Sequence, residues 1–176
     1  QTVQLNGDEV ITFNVDFNSS DRPGLMKAHG ITMIFTWMLF ISTGILLARY
    51  FKNSWPTKTL CGKPIWFAIH RTLMTSAALC TIAAFILILV YKNGQWISKT
   101  RQLEFVHSII GIIVISFAIC QPIMALFRCK PDDRFRFIFN YAHATVGLTA
   151  FILSVVTIFI AVFFKRFNFN ILFTIR

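Results

Sequence analysis

The chain has 176 residues, of which 56% are hydrophobic and 14% are charged, and its formal net charge is +10. This composition disfavours a soluble globular domain and indicates an integral membrane protein. Net positive charge would favour nucleic-acid binding in a soluble domain, but membrane proteins confine their charges to loops and ends, where lipid headgroups or small anions meet them. We therefore expect a lipid bilayer as a partner and no nucleic acid.

The first residues have a different pattern and are predicted to lie outside the membrane. From Ile11 to Phe17 apolar and polar residues alternate, which is the period of a half-buried strand. A single strand is not stable alone, so it either pairs within the first residues or ends a β-domain that lies upstream. Asn18 begins an N-x-S glycosylation acceptor, which indicates a luminal or extracellular side. Because the chain begins at Gln1 without an initiator Met, we expect a fragment or a processed form.

Four later segments are long and apolar enough to be transmembrane helices. Each has an uncharged interior, and about 20 such residues at 1.5 Å per residue cross the hydrocarbon core. Short loops make neighbouring helices antiparallel, so the predicted fold is an all-α, up-down-up-down four-helix transmembrane bundle. Pro122 is expected to kink the third helix because it lacks a backbone donor. The predicted helices run from about Leu25 to Phe51, Pro64 to Tyr91, Leu103 to Phe127, and Phe135 to Phe164.

Each predicted helix carries one of the four histidines within a few turns of its N-terminal end. Antiparallel order places His29 and His107 near the membrane face where the chain enters, called here the first face. It places His70 and His143 near the opposite, second face. About 13 residues of rise separate the two levels, on the order of 20 Å. Neutral imidazoles from facing helices are suitable axial ligands, so the pattern favours two bis-histidine haems, with the histidines as the iron ligands.

The residue one helical turn after each histidine lies on the same face of its helix. Gly111 and Gly147 hold this place in the third and fourth helices, where a missing side chain lets a planar group approach the backbone. Met33 and Met74 hold it in the first two helices and offer a soft, adaptable wall. Gly44 is expected to make room for a ligand held by the second pair.

Other interpretations of the histidines remain open. A histidine near the end of a membrane helix can be an interfacial residue or can make a helix-packing hydrogen bond. Zinc or copper is the rival to haem, although zinc usually recruits three or four Cys, His or carboxylate ligands. Three functional classes follow, namely a redox enzyme, an accessory subunit that keeps the bundle without reducing an external acceptor, and a histidine-based metal or proton transporter. No catalytic side chain is assigned.

Charge counting does not orient the chain, because the two faces carry nearly equal numbers of Lys and Arg. Only two of the acidic residues, Asp132 and Asp133, fall on the second face, so that face is the more basic in net terms. A basic cluster near the His70 and His143 level can steer an anionic electron donor. The alternative for any one of these residues is simple interfacial anchoring.

Several short patterns resemble the core of the cytochrome b561 family. The resemblance covers about residues 24 to 164 and is greatest to the subgroup with an upstream DOMON domain, the ferric-chelate reductase 1-like proteins. Its patterns are Lys27-Ala28-His29-Gly30 with Trp37, Gly44 and Ala48-Arg49-Tyr50, then Trp66-Phe67-x-x-His70, then His107-x-x-x-Gly111 with Gln121-Pro122, then Asn140-x-x-His143-x-x-x-Gly147.

The resemblance implies two haem b groups, with His29 paired to His107 and His70 paired to His143. It implies a non-cytosolic N-terminus in the plasma membrane or an endomembrane. Cytosolic ascorbate is then the electron donor at the second pair, and a ferric chelate or semidehydroascorbate is the acceptor at the first. The chain would be a transmembrane oxidoreductase, and a homodimer is left open.

The resemblance also implies substrate residues and a domain division. Arg49, Lys63 and Arg71 are the candidates for holding the donor anion near the cytosolic pair. Gln121 and Pro122 are expected to form a wall of the pocket at that pair. The implied divisions are residues 1–23 as a strand and linker that can end a DOMON domain, residues 24–166 as the cytochrome b561 domain, and residues 167–176 as a tail that can begin a further helix.

Overall fold

Four apolar helical spans dominate the computed structural model, which describes residues 2–5, 9–12, 22–130 and 132–164. The first span joins α1 (Arg22–Ile34), a π-helical segment (Phe35–Ile41) and α2 (Ser42–Tyr50). All four spans are long and apolar enough to cross a membrane, and the chain is an integral, multi-pass membrane protein, as predicted. The other spans are α3 (Ile65–Tyr91), α4 (Gln102–Leu126) and α5 (Arg136–Val162).

The spans pack in a closed ring. The first span packs against α3 and α5, and α4 packs against the same two helices. The first span and α4 therefore lie diagonally across the bundle, and so do α3 and α5. This order confirms the predicted four-helix bundle, and it lets the histidines of diagonal helices face each other across the core.

A hairpin precedes the first span. β1 (Thr2–Leu5) pairs antiparallel with β2 (Glu9–Thr12), so the strand predicted from Ile11 has a partner within the first residues. The strand begins earlier than predicted, since Glu9 and Val10 belong to it. The rest of the predicted strand, the acceptor at Asn18 and the tail from residue 167 lie outside the described residues.

A second hairpin, which was not predicted, lies in the loop between α2 and α3. Its strands are β3 (Thr59–Leu60) and β4 (Lys63–Pro64). Cys61 and Gly62 join them with φ angles of 51° and 69°. Positive φ at both central residues is what a two-residue type I′ turn requires, and it suits the twist of the flanking strands.

The π-helical segment also departs from the predicted regular helix. Its wider turn brings two consecutive residues, Thr36 and Trp37, into the core, each 2% exposed. Just after the π-helical segment, the Ser42 hydroxyl donates to the carbonyl oxygens of Met38 and Leu39. It thereby gives these carbonyls a hydrogen-bond donor where the helix type changes. In α4 the helix continues past Pro122 to Leu126, and the kink expected there stays a prediction.

Candidate functional site

A cavity of about 470 Å³ lies between the spans at the first face. We call it the first-face cavity. His29 and His107 both line it, although they come from helices that lie diagonally across the bundle. Trp37 from the π-helical segment and Trp96 from the loop between α3 and α4 also line it. Its volume falls within the range usual for ligand sites, so two histidines and a ligand-sized space coincide.

The imidazoles of the first pair are held by backbone carbonyls of neighbouring helices. His29 Nδ1 lies 2.8 Å from the Ala84 oxygen, and His107 Nδ1 lies 2.9 Å from the Thr157 oxygen. A carbonyl oxygen only accepts, so each Nδ1 carries the proton and donates it. In the neutral ring this leaves Nε2 with a free lone pair. Histidines that bind metals are oriented in the same way by a second hydrogen bond.

The second pair is held less symmetrically. His70 Nδ1 donates to the Gly44 oxygen at 2.9 Å, as in the first pair. His143 Nδ1 is buried and has no partner among the described residues, and its ring stacks on Phe139 with 5.6 Å between ring centres. Gln121 Nε2 donates to the His143 carbonyl at 3.1 Å and joins α4 to α5 at this level.

The glycines near the histidines have three different surroundings. A Cβ added at Gly111 would have no atom within 4 Å, so this residue borders open space in the first-face cavity. A Cβ at Gly147 would lie 3.5 Å from Gln121 Nε2, so the Gln121 side chain covers that position. A Cβ at Gly44 would collide with Met74 Cε. Gly44 therefore makes room for Met74 and for the bond from His70 to its carbonyl.

These surroundings fit a bis-histidine haem at the first pair. Two oriented imidazoles face one apolar space, and Gly111 leaves a slot against the α4 backbone that a flat ring can fill. A tetrahedral zinc site would need more ligands. In the described parts of the chain, no group of three or more His, Cys, Asp or Glu residues comes together.

Known proteins give an independent view of the chain. The family model described as eukaryotic cytochrome b561 matches residues 28–168 and so includes all four histidines. The chain belongs to the cytochrome b561 family. Proteins of this family bind haem, which agrees with the slot and the imidazole orientation at the first pair.

Individual relatives agree with this membership. A protein of Drosophila melanogaster named as a homolog of ferric-chelate reductase 1 is 42% identical over 147 residues, covering 84% of this chain and 22% of its own length. Ferric-chelate reductase 1 of Homo sapiens is 37% identical over 136 residues, covering 77% of this chain and 22% of its own length. A cytochrome b561 and DOMON domain-containing protein of Arabidopsis thaliana is 31% identical over 144 residues, covering 80% of this chain and 32% of its own length. The chain thus spans about a fifth to a third of the length of these relatives. No solved structure matches it.

In this cytochrome b561 core, arginines cluster at the second face, near the level at which the sequence predicts a basic cluster. The Arg71 guanidinium lies 5.9 Å from the Phe67 ring centre, and that of Arg128 lies 4.7 Å from the same ring. Arg136 Nη1 donates to the Cys129 oxygen at 2.5 Å. Burial, and then the charge of Arg136, lower the pKa of Arg128 below its ordinary value. The guanidiniums of Arg128 and Arg136 therefore repel each other.

The other two predicted donor residues lie at the same face. Arg49 is in the last turn of α2 and Lys63 is in β4, and both are exposed. Of the three candidates, Arg71 follows a histidine of the second pair directly. The structure adds Arg128 and Arg136 to the basic residues at this face.

Proposed function

We propose that the chain carries single electrons across a membrane through two haem b groups. His29 and His107 would hold one through Nε2, and His70 and His143 would hold the other. The observation that carries the proposal is the first pair, whose two imidazoles donate Nδ1–H to carbonyls of other helices beside a slot at Gly111. The chain would then be the core of a transmembrane oxidoreductase.

In this proposal the haem supplies the one-electron chemistry, and the protein positions it and sets its potential. The carbonyls of Ala84 and Thr157 fix the ring planes of the first pair and raise the basicity of the ligating nitrogens. The Phe164 ring meets His107 edge-on with 5.2 Å between ring centres and shields the imidazole on that side. The mostly apolar lining of the first-face cavity would offer water few hydrogen-bond partners beside the two imidazoles.

We propose ascorbate as the electron donor at the second face, which would be the cytosolic face, leaving the N-terminus non-cytosolic. The proposal is supported by the excess of positive charge there, in particular the two guanidiniums of Arg71 and Arg128 on one aromatic ring. Arg49 and Lys63 remain candidates for the same anion. The acceptor at the first face would be a ferric chelate or semidehydroascorbate, since several relatives are named ferric-chelate reductase 1.

The division of the chain is part of the proposal. Residues 24–166 would form the electron-transfer domain, and residues 167–176 would begin a further helix. Residues 1–23 would end an upstream DOMON domain. An Arabidopsis thaliana relative whose name includes that domain supports this division, as does its greater length.

The test is electron flow through the purified, haem-loaded chain. Ascorbate should reduce the haems, as seen in the visible spectrum, and ferric citrate or semidehydroascorbate should reoxidise them. Haem that ascorbate reduces but neither acceptor reoxidises would point instead to the accessory-subunit alternative. Stoichiometric zinc or copper in place of haem would contradict the proposal and support the transporter alternative.

A further inference from the structure

The Trp37 side chain occupies the middle of the bundle. It is 2% exposed, and it has the largest volume among the fully buried side chains of the described residues. It packs in the core with Val114, Ala118 and Ala150, which are all smaller. The indole is thus the largest of the buried side chains in this central layer, and the partly buried Phe117 and Phe151 pack around it from α4 and α5.

Cross-helix hydrogen bonds place this layer between the two histidine levels. In the first span, His29 contacts the Ala84 carbonyl of α3, and the Gly44 carbonyl accepts from His70 of α3. Trp37 lies eight residues after His29 and seven before Gly44. The indole is thus near the midpoint of the first span between the two levels.

The opposite half of the bundle has the same spacing. In α4, Val114 lies seven residues after His107 and seven before Gln121. His107 contacts α5 at Thr157, and Gln121 contacts α5 at His143.

The layer therefore divides the distance between the levels. Ala150, a core partner of Trp37, is midway between the two α5 contacts. Fourteen residues separate the levels in α4 and in α5, which corresponds to about 21 Å along the helix axis. Trp37 divides this distance into two parts of about 10 Å each.

Packing alone does not account for an indole at this position. Trp37 Nε1 is buried without a hydrogen-bond partner among the described residues, which costs free energy that phenylalanine would avoid. Such an unpaired group in a native core calls for an explanation, and a redox role is one of the recognised ones. Trp37 also lies in the π-helical segment, a conformation that is rare and frequently found at functional sites.

We propose that Trp37 is the aromatic bridge through which electrons cross between the two haem sites. This rests on the proposed function. In each transfer the donating site is oxidised by one electron and the receiving site is reduced by one. Trp37 keeps its own electrons and its Nε1 proton, and no bond forms or breaks. The conjugated ring of Trp37 occupies part of the distance between the two haem sites. An aliphatic side chain in the same place would offer the electron only saturated bonds.

The test measures electron transfer inside the haem-loaded full chain. Cys61 is exposed in the β3–β4 turn at the second face, while the other three cysteines are half-buried, so Cys61 can carry a ruthenium photoreductant. A flash then injects one electron at the second face, and visible absorbance follows its passage to the first-face site. Trp37→Leu removes the aromatic ring and Trp37→Phe keeps one. Val114→Ala, in the same layer, is the matched control for lost packing.

After the flash, the first kinetic phase is reduction of the second-face haem, and the second phase is passage of the electron to the first-face haem. We expect Trp37→Leu to slow this second phase several-fold, while the rates in Trp37→Phe and Val114→Ala stay close to the rate in the unmodified chain. Haem content and the electron paramagnetic resonance signals of both ferric sites should stay unchanged. An unchanged second phase in Trp37→Leu would overturn the bridge and leave the proposed function standing. If Trp37→Leu loses haem, Trp37→Met, whose longer and more flexible side chain is also without an aromatic ring, gives the same comparison. An unmodified chain without two haems, or without a second phase, would overturn both proposals.

Discussion

Gly111 is a residue at which helix stability and haem binding should change in opposite directions. It lies inside α4 and lines the first-face cavity, and an added Cβ would have no atom within 4 Å. Alanine is a better helix former than glycine by about 1 kcal/mol. In the haem-free chain, Gly111→Ala should therefore raise the free energy of unfolding by up to that amount.

The haem-loaded chain should respond in the other direction. If a porphyrin lies against α4 at Gly111, the new methyl group occupies its space, and overpacking of this kind typically costs about 1–3 kcal/mol. The first-face haem should then be released about 5- to 150-fold more readily. The second-face haem should not respond, because Gly111 is one turn from His107 and far from the His70 level.

Haem transfer to an excess of apomyoglobin measures this retention, and thermal unfolding of the haem-free chain measures the helix effect. Gly24→Ala is the matched control, since Gly24 is also helical and also has no atom within 4 Å of an added Cβ, but it does not line the cavity. If Gly111→Ala held the first-face haem as firmly as the unmodified chain, the slot at Gly111 would not be a haem-binding surface.

Three further predictions concern residues at both faces. His107→Ala should remove one of two ferric-haem signals in electron paramagnetic resonance and leave the other, whereas loss of both or of neither would contradict the pairing. Gln121→Leu removes the donor to the His143 carbonyl and should lower the free energy of unfolding by about 1 kcal/mol. It should shift only the spectrum of the second-face haem, and a shift of the first-face haem spectrum would contradict the placement of Gln121 at the His143 level. Arg128→Ala should raise the KM for ascorbate, and because surface charge is screened the difference should shrink at high salt. Arg134→Ala, another arginine over an aromatic ring at that face, is its control, and equal effects of the two would remove Arg128 from the donor site.

The large features could be predicted because they depend on composition over long stretches. Uncharged interiors locate the spans, and the observed helix ends differ from the predicted ones by three residues or fewer. Short loops determine the antiparallel order, and this order alone predicts that His29 and His107 lie at one level. Both residues line one cavity in the structure.

Finer features depend on information that residue types do not carry. The acceptors that orient His29 and His107 are backbone carbonyls, and any residue could supply them at those places. The π-helical segment lies in an apolar run with no glycine or proline to mark it. Gly147 is predicted to let a planar group approach the backbone, and its contact with the Gln121 side chain of the preceding helix depends on packing that residue types do not carry.

Long-range packing explains the arginine cluster in the same way. Arg71 and Arg128 are far apart in sequence, and only the fold places both over the Phe67 ring. The β3–β4 hairpin is too short for a periodic pattern to indicate it. Its turn, at Cys61 and Gly62, becomes recognisable only from the positive φ angles.

The most direct test of the central claim is the number of haems and their ligands in the purified full chain. Pyridine haemochromogen analysis should give two haem b groups per chain. Replacing either histidine of one pair by alanine should remove one haem and leave the other pair's spectrum intact. A single haem in the unmodified chain would contradict the two-site account. So would two haems retained after the loss of both His29 and His107, or after the loss of both His70 and His143.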